Sequence, residues 1–280
     1  MARPPLITPA EADLAYAAAQ CVVETHRRVA AFLKIGQTLA VIDQFIARTL
    51  EDLHCKSCFL GYSIPGQAKF PSHACLSVNA CVVHGTAASH LAPMQQGDLL
   101  KIDIGVSHRG WIGDAGWTYC FGTPTPLQRR LMDCGKESLR RGVQQLRPDK
   151  MYIHWAQAVQ GHVENECGFH CVRGLGGHGI GRYEGPTKRG LHLPPFVSNV
   201  VPVGPGEWPD ATARCLPGTL VAVEPMIAVG TGETVQRPRQ WPVFSADNSL
   251  TVHYEHDVLI TERGPRVLTE GMDSLPDVIG

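Results

Sequence analysis

Two helix-start signals, 117 residues apart and each followed by the same order of elements, constrain this chain more than any other feature. Thr8-Pro9-Ala10-Glu11 sets a capping threonine before a proline suited to the first helical position, and its glutamate closes a capping box. Thr125-Pro126-Leu127-Gln128 repeats the arrangement with glutamine in the closing place. The first start predicts a long helix to about Gly36, and the apolar period Leu39, Ile42, Phe45, Ile46, Leu50, Leu53 after Thr38 predicts a second. The second start likewise predicts a helix and then another near residues 152–163. A further pair of signals recurs 121 residues apart: Gly97 to Asp103 and Gly218 to Glu224, each a glycine turn and a β-type run ending in a carboxylate six residues on. The expectation is one domain, residues 1–280, built from two similar halves at about 8–122 and 123–268. Its class is α+β, with helices covering one face of a mostly antiparallel sheet.

Composition narrows the function. With 44% hydrophobic residues, 18% charged and a net charge of -1, nothing points to a polyanion, so no nucleic-acid partner is expected. Met1 to Pro5 has no apolar stretch of signal-peptide type, and no apolar run reaches the ~20 residues of a membrane span. A cytoplasmic protein with reduced thiols follows as the expectation for the ten cysteines. Cys55-x-x-Cys58 and Cys167-x-x-x-Cys171 could each supply half of a zinc site, but neither is followed by a second pair at zinc-ribbon spacing, so small core residues are the better reading.

Residues 97–119 read as strand, turn, strand. With the loop centred between His108 and Arg109, Asp103 faces Asp114 directly, their β-carbons about 4.5–5.5 Å apart. Two carboxylates so placed repel unless one is protonated or a cation lies between them. Alternation puts Asp103 opposite in sense to Leu100, Ile102, Ile104 and Val106, which alone would read as a solvated polar face. The other acids weaken that reading. Glu224 interrupts the apolar run from Leu220 to Val229, where an unpaired charge is costly, and Glu255 lies in a β-type stretch of its own.

His178 sits among glycines, Gly174-Leu175-Gly176-Gly177-His178-Gly179-Ile180-Gly181, which permit close backbone approach; no Gly-Lys-Ser/Thr follows, so a phosphate loop is not indicated. Four carboxylates and one imidazole suit Mn, Fe(II), Co or Zn better than a thiolate-loving ion. Two divalent ions would offset the acids. Such a pair, about 3.5–4 Å apart, can share a water, lower its pKa and polarise a carbonyl, which is the chemistry of peptide-bond hydrolysis.

These residues resemble the type I methionine aminopeptidases, whose pita-bread fold is a pseudo-symmetric duplication with ligands ordered Asp, Asp, His, Glu, Glu. Asp103, Asp114, His178, Glu224 and Glu255 match that order within Lys101-Ile102-Asp103, Gly113-Asp114, Gly177-His178-Gly179-Ile180-Gly181, Val223-Glu224-Pro225-Met226 and Tyr254-Glu255-His256. The likeness covers about residues 8–268. It implies removal of the initiator methionine from nascent polypeptides whose next residue is small, by a monomer acting at the ribosome without nucleic acid or membrane. It further implies that Asp114 and Glu255 bridge both ions, that His178 and Glu224 complete one and Asp103 chelates the other, and that Glu224 handles the proton of the attacking water. The segment from Phe70 to Asn79 and Val83-His84-Gly85 also match, which makes His84 a hydrogen-bonding partner of the substrate near the scissile amide. Tyr62, Cys75 and Trp241 would line the methionine pocket, where sulfur and aromatic contacts suit a thioether.

Two departures stand out. The second histidine that the family places just after its glycine-rich ligand loop is missing between Arg182 and Pro186, and Tyr183 or His192 is the candidate to replace it. Residues 188–217, rich in proline and glycine, are longer than in a minimal type I enzyme and shorter than the type II insertion. Among rivals, an Xaa-Pro aminopeptidase or prolidase would carry an additional N-terminal domain, whereas helices here begin by Pro9. A non-catalytic member would normally have lost ligands, and all five are present.

Overall fold

A computed structural model describes residues 4–183 and 190–280. Both capping boxes form: Thr8 and Glu11 exchange bonds at the start of α1 (Pro9–Phe32), and Thr125 and Gln128 do so at α3 (Pro126–Val143). Each cap satisfies amide groups that the first helical turn would otherwise leave open, worth about 1 kcal/mol. Helix α1 ends at Phe32, short of Gly36, which instead takes a positive φ of 91° in the following turn. Helix α2 spans Leu39–Asp52 and α4 spans Tyr152–Gln160, the latter running into a π-helical turn at Gly161–Glu166.

The first sheet is built on a hairpin of β2 (Leu99–His108) and β3 (Trp111–Phe121), with β1 (Cys75–Val78) paired antiparallel to β2. Helix α1 packs on β2 and β3, and its small buried Ala12, Ala15, Ala18 and Ala19, clustered with Trp111, Leu220, Ala222 and Leu259, let the backbones approach. The approach is close enough that a Cβ at Gly113 would stand 2.6 Å from the Ala18 backbone. The second sheet runs in the order β10 (Gly264–Val267), β9 (His256–Thr261), β6 (Leu220–Val223), β4 (Gly176–Gly179), β5 (Leu193–Ser198), all antiparallel. A small sheet joins β7 (Met226–Ala228) to β8 (Thr251–His253) and to His170–Cys171.

The two main sheets meet along β3. Glu255 donates its backbone N–H to Gly116 O at 2.8 Å, Asp114 N–H reaches Asp257 Oδ2 at 2.8 Å, and the Thr118 hydroxyl donates to His253 O at 2.8 Å. These bonds hold the β8–β9 segment against the first hairpin. Beneath them Trp117 and Tyr254 pack edge to face, ring centroids 4.8 Å apart.

Two expectations need correction. The hairpin turns on Arg109 and Gly110, both at positive φ (50° and 78°), so His108 pairs with Trp111 and the register lies two residues from the expected one. A two-residue loop of this kind matches the twist of its flanking strands. Asp103 therefore pairs with Gly116, and Asp114 with Gly105. The two acids remain on one face, as diagonal rather than direct neighbours. Nor is that face solvated, because β2 is covered on both sides: Lys101 is only 1% exposed and donates from Nζ to Asn79 O at 2.7 Å.

Candidate metal centre

Strand ends and the seam between the sheets bring the five expected ligands to one cavity of about 190 Å³. Asp103 comes from β2, Asp114 from β3 and His178 from β4; Glu224 follows β6, and Glu255 lies between β8 and β9. One donor atom each from Asp114, His178 and Glu255 lies within 4.8 Å of the others, and the same holds for Asp103, His253 and Glu255. His178 Nε2 stands 3.8 Å from Glu224 Oε1.

The glycines opposite the aspartates clear this space. A Cβ at Gly116 would fall 2.8 Å from the His253 ring and 3.2 Å from Glu255 Oε2; one at Gly105 would fall 2.6 Å from Phe59 and 3.3 Å from Asp114 Oδ1. At the histidine, a Cβ on Gly177 would meet Ala222 O at 2.3 Å, and one on Gly179 would meet Pro194 O at 2.2 Å.

The electrostatics call for cations. Burial, then neighbouring carboxylates, drives Asp114 and Glu255 well above the usual carboxylate range. Burial, followed by the Glu224 charge, lifts Asp103 to about 8, and burial lifts Glu224 to about 8. Burial also pushes His178 down to about 3, so its imidazole is neutral and able to ligate. Asp103 Oδ1 and Asp114 Oδ1 are buried without hydrogen-bond partners, and among the described residues no lysine or arginine lines the cavity. Hard oxygen donors with a neutral imidazole and no organic counter-charge fit divalent ions.

Beside the acids lies an apolar chamber. Tyr62, Cys75 and Trp241 come together there with Phe59, Phe70 and Leu191. Phe70 meets Trp241 edge to face at 5.3 Å, and the Trp241 indole is fixed by donation to Ala68 O at 2.8 Å. Cys75 pairs with Asp103 across β1 and β2.

His84 lines the cavity at a positive φ of 58°, and His192 faces it from the other chain segment at 59°. The His192 ring packs against His178, centroids 4.4 Å apart, while Tyr183 is not among the cavity's lining residues. Burial pushes both histidines down to about 4. Of the chain between Arg182 and His192, residues 184–189 lie outside the described residues.

Two site residues escaped the sequence reading. His253 is 1% exposed, and its Nε2 stands 3.1 Å from Glu224 Oε2, though not aligned for a hydrogen bond, and 3.8 Å from Glu255 Oε2. Asp257 accepts from the Asp114 backbone. The signal was present, because His253, Glu255 and Asp257 alternate along one extended stretch and so share a face.

The model of metallopeptidase family M24 matches residues 13–262. A methionine aminopeptidase of Aquifex aeolicus is 33% identical over 255 residues, covering 90% of this chain and 93% of that one. The solved methionine aminopeptidase of Thermotoga maritima superposes with a TM-score of 0.83 at 28% identity, covering 95% of this chain and 99% of the other. The prolidase of Pyrococcus furiosus, at a TM-score of 0.68 and 16% identity, shares the fold, and this chain covers 65% of it. The architecture is the α+β pita-bread fold of these proteins. The chain is a member of metallopeptidase family M24 and groups with its methionine aminopeptidases.

Proposed function

We propose that this chain is a type I methionine aminopeptidase that removes the initiator methionine of nascent polypeptides when the next residue is small, using two divalent ions held by Asp103, Asp114, His178, Glu224 and Glu255. The observation that carries the reading is one cavity of about 190 Å³ in which a buried acid cluster adjoins an aromatic and thiol-lined chamber. A thioether side chain suits that chamber, since sulfur gains from aromatic neighbours. Asp114 and Glu255, the most buried of the four ligand carboxylates, would serve both ions, with Asp103 holding one and His178 and Glu224 the other; Glu255 belongs to both groups of neighbouring donor atoms. When bound, the ions would supply an activated water and polarise the scissile carbonyl.

The remaining work falls to side chains. Glu224 is partly open to the cavity and, ionised once metal is bound, would take a proton from the attacking water and pass it on to the leaving amine. His84 and His192, neutral and held in an uncommon backbone conformation, are suited to orient the scissile amide. A groove of about 590 Å³, lined by His84, His178, His192, Glu224, Pro194 and Phe196, leads away from the acids and accommodates the chain beyond the first residue. The same reading takes the chain as a duplicated unit with halves at about 8–122 and 123–268, working as a cytoplasmic monomer at the ribosome. Among the described residues no helix is long and apolar enough to cross a membrane.

The test is a peptide panel assayed on metal-free protein and then with Mn(II), Fe(II), Co(II) and Zn(II) in turn. Met-Ala and Met-Gly peptides are expected to be cut only with metal. Faster cleavage of Xaa-Pro peptides, or turnover by metal-free protein, would overturn the reading.

A further inference from the structure

We propose that Cys134, His162 and Cys167 form a second metal site, separate from the acid cluster, that takes one borderline-soft divalent ion of the zinc type with a fourth position left for water. Cys134 projects from α3, and the other two lie in and just after the π-helical turn that follows α4. Their sulfur and nitrogen donor atoms all lie within 4.8 Å of one another. None of the three lines the cavity of the acid cluster.

The geometry suits a tetrahedral ion. With Zn–S of about 2.3 Å and Zn–N of about 2.0–2.1 Å, a sulfur and a nitrogen on one tetrahedral ion lie about 3.5 Å apart. Cys167 Sγ and His162 Nε2 are separated by 3.5 Å. The wider π turn makes this possible, because its hydrogen bonds run from residue i to i+5, so residue i+5 comes beneath residue i, and Cys167 N–H indeed donates to His162 O at 3.0 Å.

A thiol-to-imidazole hydrogen bond alone would account for that one distance. It would not account for the other side of the ring, where His162 Nδ1 meets Glu166 Oε2 at 3.0 Å. Glu166 is in turn gripped by Arg141, whose Nη1 donates to its two oxygens at 2.7 and 2.8 Å. Glu166, held by Arg141, faces Nδ1, and Nε2 on the opposite edge of the ring faces the Cys167 sulfur. A carboxylate behind a histidine is the usual support of a ligating imidazole. Two thiolates, one neutral imidazole and one such ion sum to no net charge, and Glu166 is balanced by Arg141. Cys167 is half-exposed, which gives the ion an entry path and the fourth position access to water.

The second trio within the same reach, Cys21, Cys55 and His108, provides the internal comparison. Cys55 Sγ lies 3.5 Å from His108 Nδ1, yet among the described residues no carboxylate is bonded to the other nitrogen of His108. The carboxylate-supported trio is the one assigned here.

Purified full-length protein, kept reduced and stripped by chelator, is titrated with Co(II) as a spectroscopic stand-in for zinc. Thiolate-to-cobalt charge-transfer absorption is expected, lost in Cys167→Ser and in His162→Gln and kept in Cys55→Ser. Glu166→Gln, an exposed change that leaves the ligands in place, is expected to weaken Co(II) at this site about 10–100-fold. Circular dichroism matching the parent identifies folded variants. The proposal is overturned if reduced parent gives no such band, if the band survives in both ligand variants, or if Cys55→Ser abolishes it. A Cys134–Cys167 disulfide in air, with no cobalt band after reduction, would overturn it too.

Discussion

The Tyr62 hydroxyl and His192 Nδ1 lie 2.8 Å apart, both lining the cavity that adjoins the acid cluster. That bond fixes the imidazole by one nitrogen and turns the other toward the cavity shared with His84 and His178. His192, ten residues after Arg182, thereby becomes our candidate to stand in for the histidine missing after the glycine-rich loop. His192→Ala is expected to lower kcat/KM about 10²-fold with metal content unchanged, as for loss of a donor to the developing oxyanion. Tyr62→Phe should give a smaller loss, and Tyr183→Phe none. Steady-state kinetics beside metal analysis decides this, and parent-like turnover by His192→Ala would remove the histidine from the substrate.

The unequal burial of the acids separates their expected roles. Asp114→Asn and Glu255→Gln, at residues 2% exposed, should each abolish most activity and reduce both metal equivalents, while Asp103→Asn should chiefly weaken one. Titration with Mn(II) followed by equilibrium counting distinguishes the cases. Two tight equivalents in Asp114→Asn, with normal turnover, would exclude its bridging role.

How far the sequence could lead is clearest at the hairpin. The helix starts and the five candidate ligands were legible because each belongs to a local pattern: a cap with proline beside it, an acid within or beside an apolar run, or a histidine among glycines. The register was misread, since it depends on which two residues take the left-handed conformation, and Gly110, which adopts it at little cost, was the signal for a turn on Arg109-Gly110. A slip of two preserves the face, so the acids were still expected together. What it hid is that each aspartate is opposite a glycine. His192 was legible only as one of two candidates beside Tyr183, because sequence spacing alone does not say which of them lines the cavity.

The glycine pairing yields its own prediction. Gly116→Ala would put a methyl group 2.8 Å from His253 and 3.2 Å from Glu255 Oε2, both on the seam between sheets. The expected cost is about 1–3 kcal/mol of stability, as for other overpacked interiors, together with weaker metal binding. Chemical denaturation and metal titration of the same variant test both effects. Unchanged values in each would mean that the space opposite Asp103 is not needed.

Protons and metal ions compete for the acid cluster, and the direction of that competition is fixed by burial. In metal-free protein Asp103 and Glu224 hold their protons up to about pH 8. Carboxyls whose affinity is raised on folding contribute stability that is full below their unfolded values near 4 and is lost as pH rises through about 8. Buried Lys101, lowered to about 7, adds a slope of the opposite sign above neutrality, so the stability curve of metal-free protein alone mixes the two. Metal binding separates them, because it must displace the carboxyl protons and leaves Lys101 untouched. His178, already pushed down to about 3, releases none in this range. Apparent affinity for Mn(II) should therefore rise between pH 6 and 8, by up to about tenfold per pH unit for each proton displaced. Calorimetric titrations in two buffers of different ionisation enthalpy count those protons directly. An affinity that stays flat from pH 6 to 8, with no proton release, would show that the carboxyls are already ionised before the metal arrives.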